Sequence, residues 1–328
     1  MAKSKIVIIG NGFDRAHNLS TGYTEFLSYL EDNVVEFEKK SESHYHQKSI
    51  NGEKHSSNTY FFNSINEELD PWLCVNQIPN TLNFELNVKP DKSSYLFNFL
   101  IKDKHKQGYW SNLEQQYFHV LKENVFKNLS SASSEKNIRS DFSNRVNIIN
   151  KEFEHLKKLI DKYLSEQVEL KLSSENIVIN KSIDKLLFDY ENVKTYSKIY
   201  FITFNYTSKI LDHYYKILKE SDDNNIYSIP PIHIHGKLND PDNPIIFGYG
   251  DENSDDYKNL ELTLDNNLLI HFKTFQYLRT NSYQKVLGLL EENRDIDIQL
   301  IGHSCGLCDK ALLRTIFQHK NVRKIESI

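Results

Sequence analysis

The spacing of hydrophobic residues changes along this chain, and the changes divide it. Ile6-Val7-Ile8-Ile9 is a short, uninterrupted β-branched run that stops at Gly10, the pattern of a strand buried on both faces of a parallel sheet. Beyond it Tyr23, Phe26, Leu27 and Leu30 recur at helical spacing behind Ser20 and Thr21, residues suited to cap a helix. The chain therefore opens as strand, glycine turn and helix.

From residue 32 to residue 192 the strand signals fade, and polar stretches over 41–58 and 130–137 separate helical segments. The clearest of these has Phe153, Leu156, Ile160, Tyr163 and Leu164 on one face and Lys and Glu opposite, a core-packing stripe. Strand character returns with Ile199–Thr203, and a helix follows with Ile210, Leu211, Tyr214, Tyr215 and Leu218 on one side. Further strands are predicted at Ile232–His235, Ile245–Gly248, Ile296–Ile301 and Val322–Ile325, with a helix over Lys310–Phe317. This alternation predicts an α/β fold with a doubly wound parallel sheet. The sheet is assigned to residues 1–31 and 193–328, and residues 32–192 form a mainly helical insertion.

Composition narrows the partners. The hydrophobic fraction is 39%, but 19 Tyr and 19 Phe supply large buried surfaces from few positions, so a sizeable core is expected. With 40 basic and 45 acidic residues the net charge is −5, which leaves no general basic field for nucleic acid or an anionic membrane; nucleic-acid binding would be limited to a local patch. Cys74, Cys305 and Cys308 are too few for a disulfide framework, in keeping with a reducing cytoplasm. The only apolar run near the start, Ile6 to Ile9, is far short of a signal or membrane-spanning segment, so neither export nor a membrane anchor is expected.

In an open parallel sheet, ligands bind beyond the carboxyl ends of the strands, and four motifs fall in such loops. They are Gly10-Asn11-Gly12-Phe13-Asp14, Thr203-Phe204-Asn205-Tyr206-Thr207, His233-Ile234-His235-Gly236 and Gly302-His303-Ser304. Gly10 and Gly12 could let a pyrophosphate approach the main chain; a tight strand-to-helix turn without a ligand explains them equally well. The dinucleotide fingerprint would need a third glycine where Arg15 stands. Asn205 could hydrogen-bond a ribose hydroxyl or cap the next helix, in competition with Thr207. His235 could act as a general base, with Gly236 beside it leaving room for a ligand, or be a satisfied structural histidine. His233 and His235 lack a third metal ligand at convincing spacing, so no metal is expected. Cys305 and Cys308 read as two small buried residues and not as a redox pair. Glu114, after Trp110, could either fold over the pocket or cap a surface helix.

Taken in order, Ile8 to Asp14 with Leu19, Thr21, Tyr23 and Phe26, then Trp110 to Glu114, then Phe204 to Thr207, resemble the AbiH family of bacterial phage abortive-infection proteins. Ile232 to Asp240, Ile246 to Asp251, and Gly302-His303-Ser304 with Asp309 resemble the family's remaining blocks. The AbiH pattern in turn resembles the sirtuin-like superfamily, which implies a Rossmann-like, NAD-binding fold. Asn205 and His235 stand where that superfamily carries its catalytic Asn and His. The implied reaction is hydrolysis of NAD at the nicotinamide-ribose bond in antiviral defence. NAD is then the substrate, Gly10, Asn11 and Gly12 meet the pyrophosphate, and Phe13 walls off the nicotinamide. Asp14 orients water or a ribose hydroxyl, Gly236 flanks the base, and Gly302, His303 and Ser304 meet the adenosine half. The four-cysteine zinc module of deacetylating sirtuins is missing, so deacetylation is not implied. Two other classes stay open: a non-catalytic nucleotide sensor acting through a partner, and a toxin acting on nucleic acid. A phage-derived or host trigger and self-association are further partners to consider.

Overall fold

A computed structural model describes residues 3–30, 59–61, 74–77, 84–85, 96, 109–129, 135–172, 177–178, 180–187, 195–220, 226–251, 254–263 and 265–327. Among these the strands, in chain order, are β1 (Ser4–Ile9), β2 (Thr59–Phe61), β3 (Cys74–Gln77), β4 (Phe84–Glu85), β5 (Lys198–Thr203), β6 (Ile232–His233), β7 (Ile296–Ile301) and β8 (Val322–Ser327). The helices used below are α1 (Asn11–Ala16), α2 (Trp110–Leu129), α3 (Glu135–Tyr163), α4 (Lys181–Leu187), α5 (Lys209–Glu220), α6 (Asp255–Glu261), α7 (Lys273–Tyr277), α8 (Ser282–Glu292) and α9 (Lys310–Phe317).

The chain divides into two compact units, one of Met1–Gly22 with Lys157–Ile328 and one of Tyr23–Leu156. The described residues of 157–187, read from the sequence as insertion, therefore group with the sheet, and residues 23–30 group with the second unit. Neither boundary coincides with a break in the hydrophobic pattern, so periodicity could not mark it.

The first unit is built on a five-stranded sheet in the order β6-β5-β1-β7-β8, with every pairing parallel. In register, Ile8 of β1 lies between Ile202 of β5 and Leu300 of β7. Side chains alternate across a strand, and here both faces are covered. Ile6, Ile8, Ile202, Ile298 and Leu300 pack with Val286 and Leu290 of α8 and Leu312 and Ile316 of α9. Val7, Ile9, Phe201 and Ile301 pack with Ile183 of α4 and Ile210, Tyr214 and Leu218 of α5. Burial on both sides is why β1 and β5 read as nearly continuous apolar runs, whereas β7 also buries Asp297 and Gln299. The edge strand β8 exposes Arg323, Lys324 and Glu326, charges that discourage pairing with another chain.

Two predicted strands change. β6 ends at His233 because the chain turns at Gly236, whose φ is +84°. Ile245–Gly248 is not a strand; nearby there is only an isolated bridge between Tyr249 and Phe272. Pro244 has no N–H to give a ladder, and Gly248 lies so close to His271 that a Cβ would sit 1.8 Å from its carbonyl oxygen.

In the second unit α2 and the first part of α3 supply the expected helices. Tyr117 stacks on Phe153 at 4.1 Å and donates to Asn150 at 2.8 Å, while Trp110 packs on Tyr23 and Phe26. The small antiparallel sheet β2-β3-β4 was not foreseen. No helix of the described residues is long and apolar enough to cross a membrane.

Candidate functional site

The strand order reverses at β1, with β5 and β6 on one side and β7 and β8 on the other. In open parallel sheets the ligand site lies beyond the carboxyl ends at such a reversal, here at the exits of β1 and β7. The β1 exit is not a free glycine turn, because α1 starts directly after Gly10. The Gly12 N–H donates to the Gly302 carbonyl at 2.8 Å and the Phe13 N–H to the Gly10 carbonyl at 2.9 Å. A Cβ on Gly10 would lie 2.6 Å from the His303 Cα. Close approach of two main chains thus accounts for Gly10, Gly12 and Gly302 without a phosphate. Asn11 closes the loop to Thr21, donating to its carbonyl at 3.1 Å and accepting from its hydroxyl. Phe13 is not a ligand-facing wall: its ring is buried in the core against His17 and Tyr214.

Asn205 and Asp14 meet between the exits of β5 and β1. The Asn205 amide donates to the Gly10 carbonyl at 3.1 Å, and the Thr207 hydroxyl donates to the Asp14 carboxylate. Neither Asn205 nor Thr207 caps α5. That role falls to Glu169, which ends the π turn Leu164–Glu169 and accepts from the Ser208 and Lys209 N–H groups. Burial, aided by Glu169 and opposed by Thr207 and Asn205, pushes the Asp14 carboxyl up to about 7. Asp14 is buried among protein groups and is coupled to Asn205 and Thr207.

His235 stands beyond β6, 5% exposed, beside a charged cluster. Its Nε2 lies 3.1 Å from Asp309 Oδ1 and 2.9 Å from the Tyr277 hydroxyl. Lys273, only 2% exposed, donates to the same Asp309 oxygen at 2.7 Å. Burial disfavours the Asp309 anion, but Lys273 and the two imidazoles of His235 and His303 outweigh it and hold the carboxyl well below the usual range. Burial, then Lys273, pushes His235 down to about 4 against the pull of Asp309, so its imidazole is neutral at pH 7. Gly236 leaves no space beside it, since a Cβ there would lie 2.1 Å from the Pro244 carbonyl oxygen. His233 faces the other way, its Nδ1 3.4 Å from the Asn205 carbonyl, and does not share a strand face with His235.

The β7 exit joins both groups. The Phe204 ring has His235 at 4.8 Å and His303 at 4.2 Å, and His303 Nε2 lies 3.8 Å from Asp309 Oδ2. The Cys305 N–H donates to His303 Nδ1 at 3.0 Å, so both ring nitrogens of His303 have protein groups as neighbours. Ser304 and Cys305 are exposed and Cys308 is buried, which corrects the reading of both cysteines as buried. Glu114 is buried within α2 of the second unit and is not a surface cap.

Contacts therefore connect the four predicted loops: 10–14 to 205 and 302, and 235 to 303 through Phe204 and Asp309. Sequence reasoning missed Lys273, Tyr277 and Glu169 and gave Asp309 no role. Lys273 and Tyr277 lie on a five-residue helix with no motif of its own. Lys273 is a cation between two phenylalanines in sequence, which hints at burial but not at its partner.

A family model described as bacteriophage abortive infection AbiH matches residues 6–328. No curated protein and no solved structure matches the chain. Because the match takes in every strand-end loop of this site, the chain belongs to the AbiH family of bacteriophage abortive-infection proteins.

Proposed function

We propose that this chain acts in phage abortive infection, the function its family implies, by hydrolysing NAD at the nicotinamide-ribose bond on a Rossmann-like, sirtuin-like sheet. Water and NAD give nicotinamide, ADP-ribose and a proton. Nicotinamide leaves readily as a neutral molecule, so the protein's task is to orient the ribose and accept the proton. Asn205 is the orienting group and His235 the base. The observation that carries this reading is the buried cluster of Lys273, Asp309 and His235 at the carboxyl edge of the sheet. Burying charges costs several kcal/mol per ion, so such a cluster is poor value as a stabiliser, and perturbed ionisable groups gather at working sites.

The test is incubation of the purified protein with NAD and chromatography of the products. Equimolar nicotinamide and ADP-ribose, lost in His235→Ala, are expected. Saturable NAD binding without nicotinamide release would replace hydrolysis with a sensor role. Intact NAD with degraded RNA or DNA in expressing cells would point to a nucleic-acid toxin.

A further inference from the structure

We propose that Asp309, ion-paired with Lys273, is a positioning residue for His235: it fixes the imidazole as the Nε2–H tautomer and so makes Nδ1 the atom that takes the proton. This rests on the reading of His235 as the base, but its geometry stands apart from the choice of substrate. Asp309 immediately precedes α9 in the loop after β7, Lys273 opens α7, and His235 follows β6. Three separate segments thus meet at one carboxylate oxygen.

The tautomer follows from what each neighbour can do. An ionised carboxylate only accepts hydrogen bonds. At 3.1 Å from Asp309 Oδ1, a bare Nε2 would set its lone pair against that oxygen, whereas an Nε2–H donates to it. The Tyr277 hydroxyl, 2.9 Å away, suits either arrangement because it both donates and accepts, so Asp309 decides. A neutral imidazole carries one N–H; placing it on Nε2 leaves the lone pair on Nδ1. Lys273, at 2.7 Å, keeps Asp309 an acceptor and raises the cost of charging His235. Asp309 then offsets the imidazolium formed when Nδ1 takes the proton, as the carboxylate does for the histidine of a serine-protease triad. The titratable groups facing His235 are Asp309 and His303 from the loop after β7, Lys273 and Tyr277 from α7, and Tyr206 from the loop after β5, which also sets the Phe204 ring against it.

The experiment is a long-range proton–nitrogen NMR spectrum of the imidazoles in the 15N-labelled full chain near pH 7, with His235 assigned by its loss in His235→Gln. The expected wild-type pattern is Nε2–H with a bare Nδ1, giving way to mixed tautomers in Asp309→Ala. Nicotinamide release by Asp309→Ala should fall roughly 10²- to 10⁴-fold in kcat with little change in KM. In Lys273→Met the acid limb of the pH–rate profile should move to higher pH. A wild-type His235 protonated on Nδ1 overturns the proposal, as does an Asp309→Ala protein with unaltered spectrum and rate. If that variant does not fold, the wild-type spectrum alone still decides. Absence of nicotinamide release by the wild type would remove the NAD reading and leave the tautomer result standing.

Discussion

Gly12 and Gly302 meet main chain to main chain: a Cβ on Gly12 would lie 2.6 Å from the Gly302 Cα, and one on Gly302, whose φ is +65°, 2.4 Å from the Phe13 nitrogen. The exits of β1 and β7 are locked together by this contact. Gly302→Ala is expected to cost on the order of 2–4 kcal/mol through strain and overpacking, and Gly12→Ala about 1–3 kcal/mol. Gly288 lies inside α8, where a Cβ would approach only the Glu292 side chain at 4.0 Å, so Gly288→Ala should instead stabilise by about 0.5–1 kcal/mol. Urea unfolding midpoints of the three variants test this ordering.

Glu169 takes the place of an N-cap for α5. Glu169→Ala should destabilise the chain by about 1–2 kcal/mol, and Glu169→Gln, which keeps an acceptor oxygen, by less. Hydrogen exchange at the Ser208 and Lys209 amides should quicken in the alanine variant ahead of the rest of α5. Unchanged protection at both amides would remove the capping role.

Asp14 makes stability depend on pH. Its carboxyl titrates near 7 in the folded chain against an ordinary value of 3.8, because of burial and then Glu169, so the folded chain binds this proton more tightly. The contribution is fully present below about pH 4 and is lost as pH rises through about 7, a change on the order of 4 kcal/mol at most. Denaturation of Asp14→Asn should lack this slope, and at pH 8 that variant should be more stable than its parent. An identical slope in the two proteins would assign the titration to another group.

Asn205→Ala and His235→Ala should each lower nicotinamide release at least about 100-fold. The sequence places both in motifs at strand ends. Asn205 is 7% exposed and tied to Gly10, and His235 is tied to Asp309, so each variant should also lose about 1–3 kcal/mol of stability. Melting curves recorded beside the activity assay separate the two effects. Full activity in both variants would move the site elsewhere.

The sequence alone determined that β1, β5 and β7 are strands of a parallel sheet and that the polar motifs at residues 10–14, 203–207, 233–236 and 302–304 stand at strand ends. Those features are written locally, as apolar runs ending at Gly10 and Asn205, as the isoleucine-rich segment 296–301 before Gly302, and as helical stripes such as Ile210–Leu218. Only the tertiary structure decided what each polar group touches. Glycines that could have admitted a phosphate pack on another main chain, His303 is spent on Asp309 and the Cys305 amide, and Phe13 points into the core. Lys273 and Asp309 lie 36 residues apart, and no periodicity or spacing rule connects them to His235. The reason is physical: strand and helix patterns depend on neighbours within a few residues, whereas the partner of a buried charge depends on which distant segments the sheet order brings to one edge.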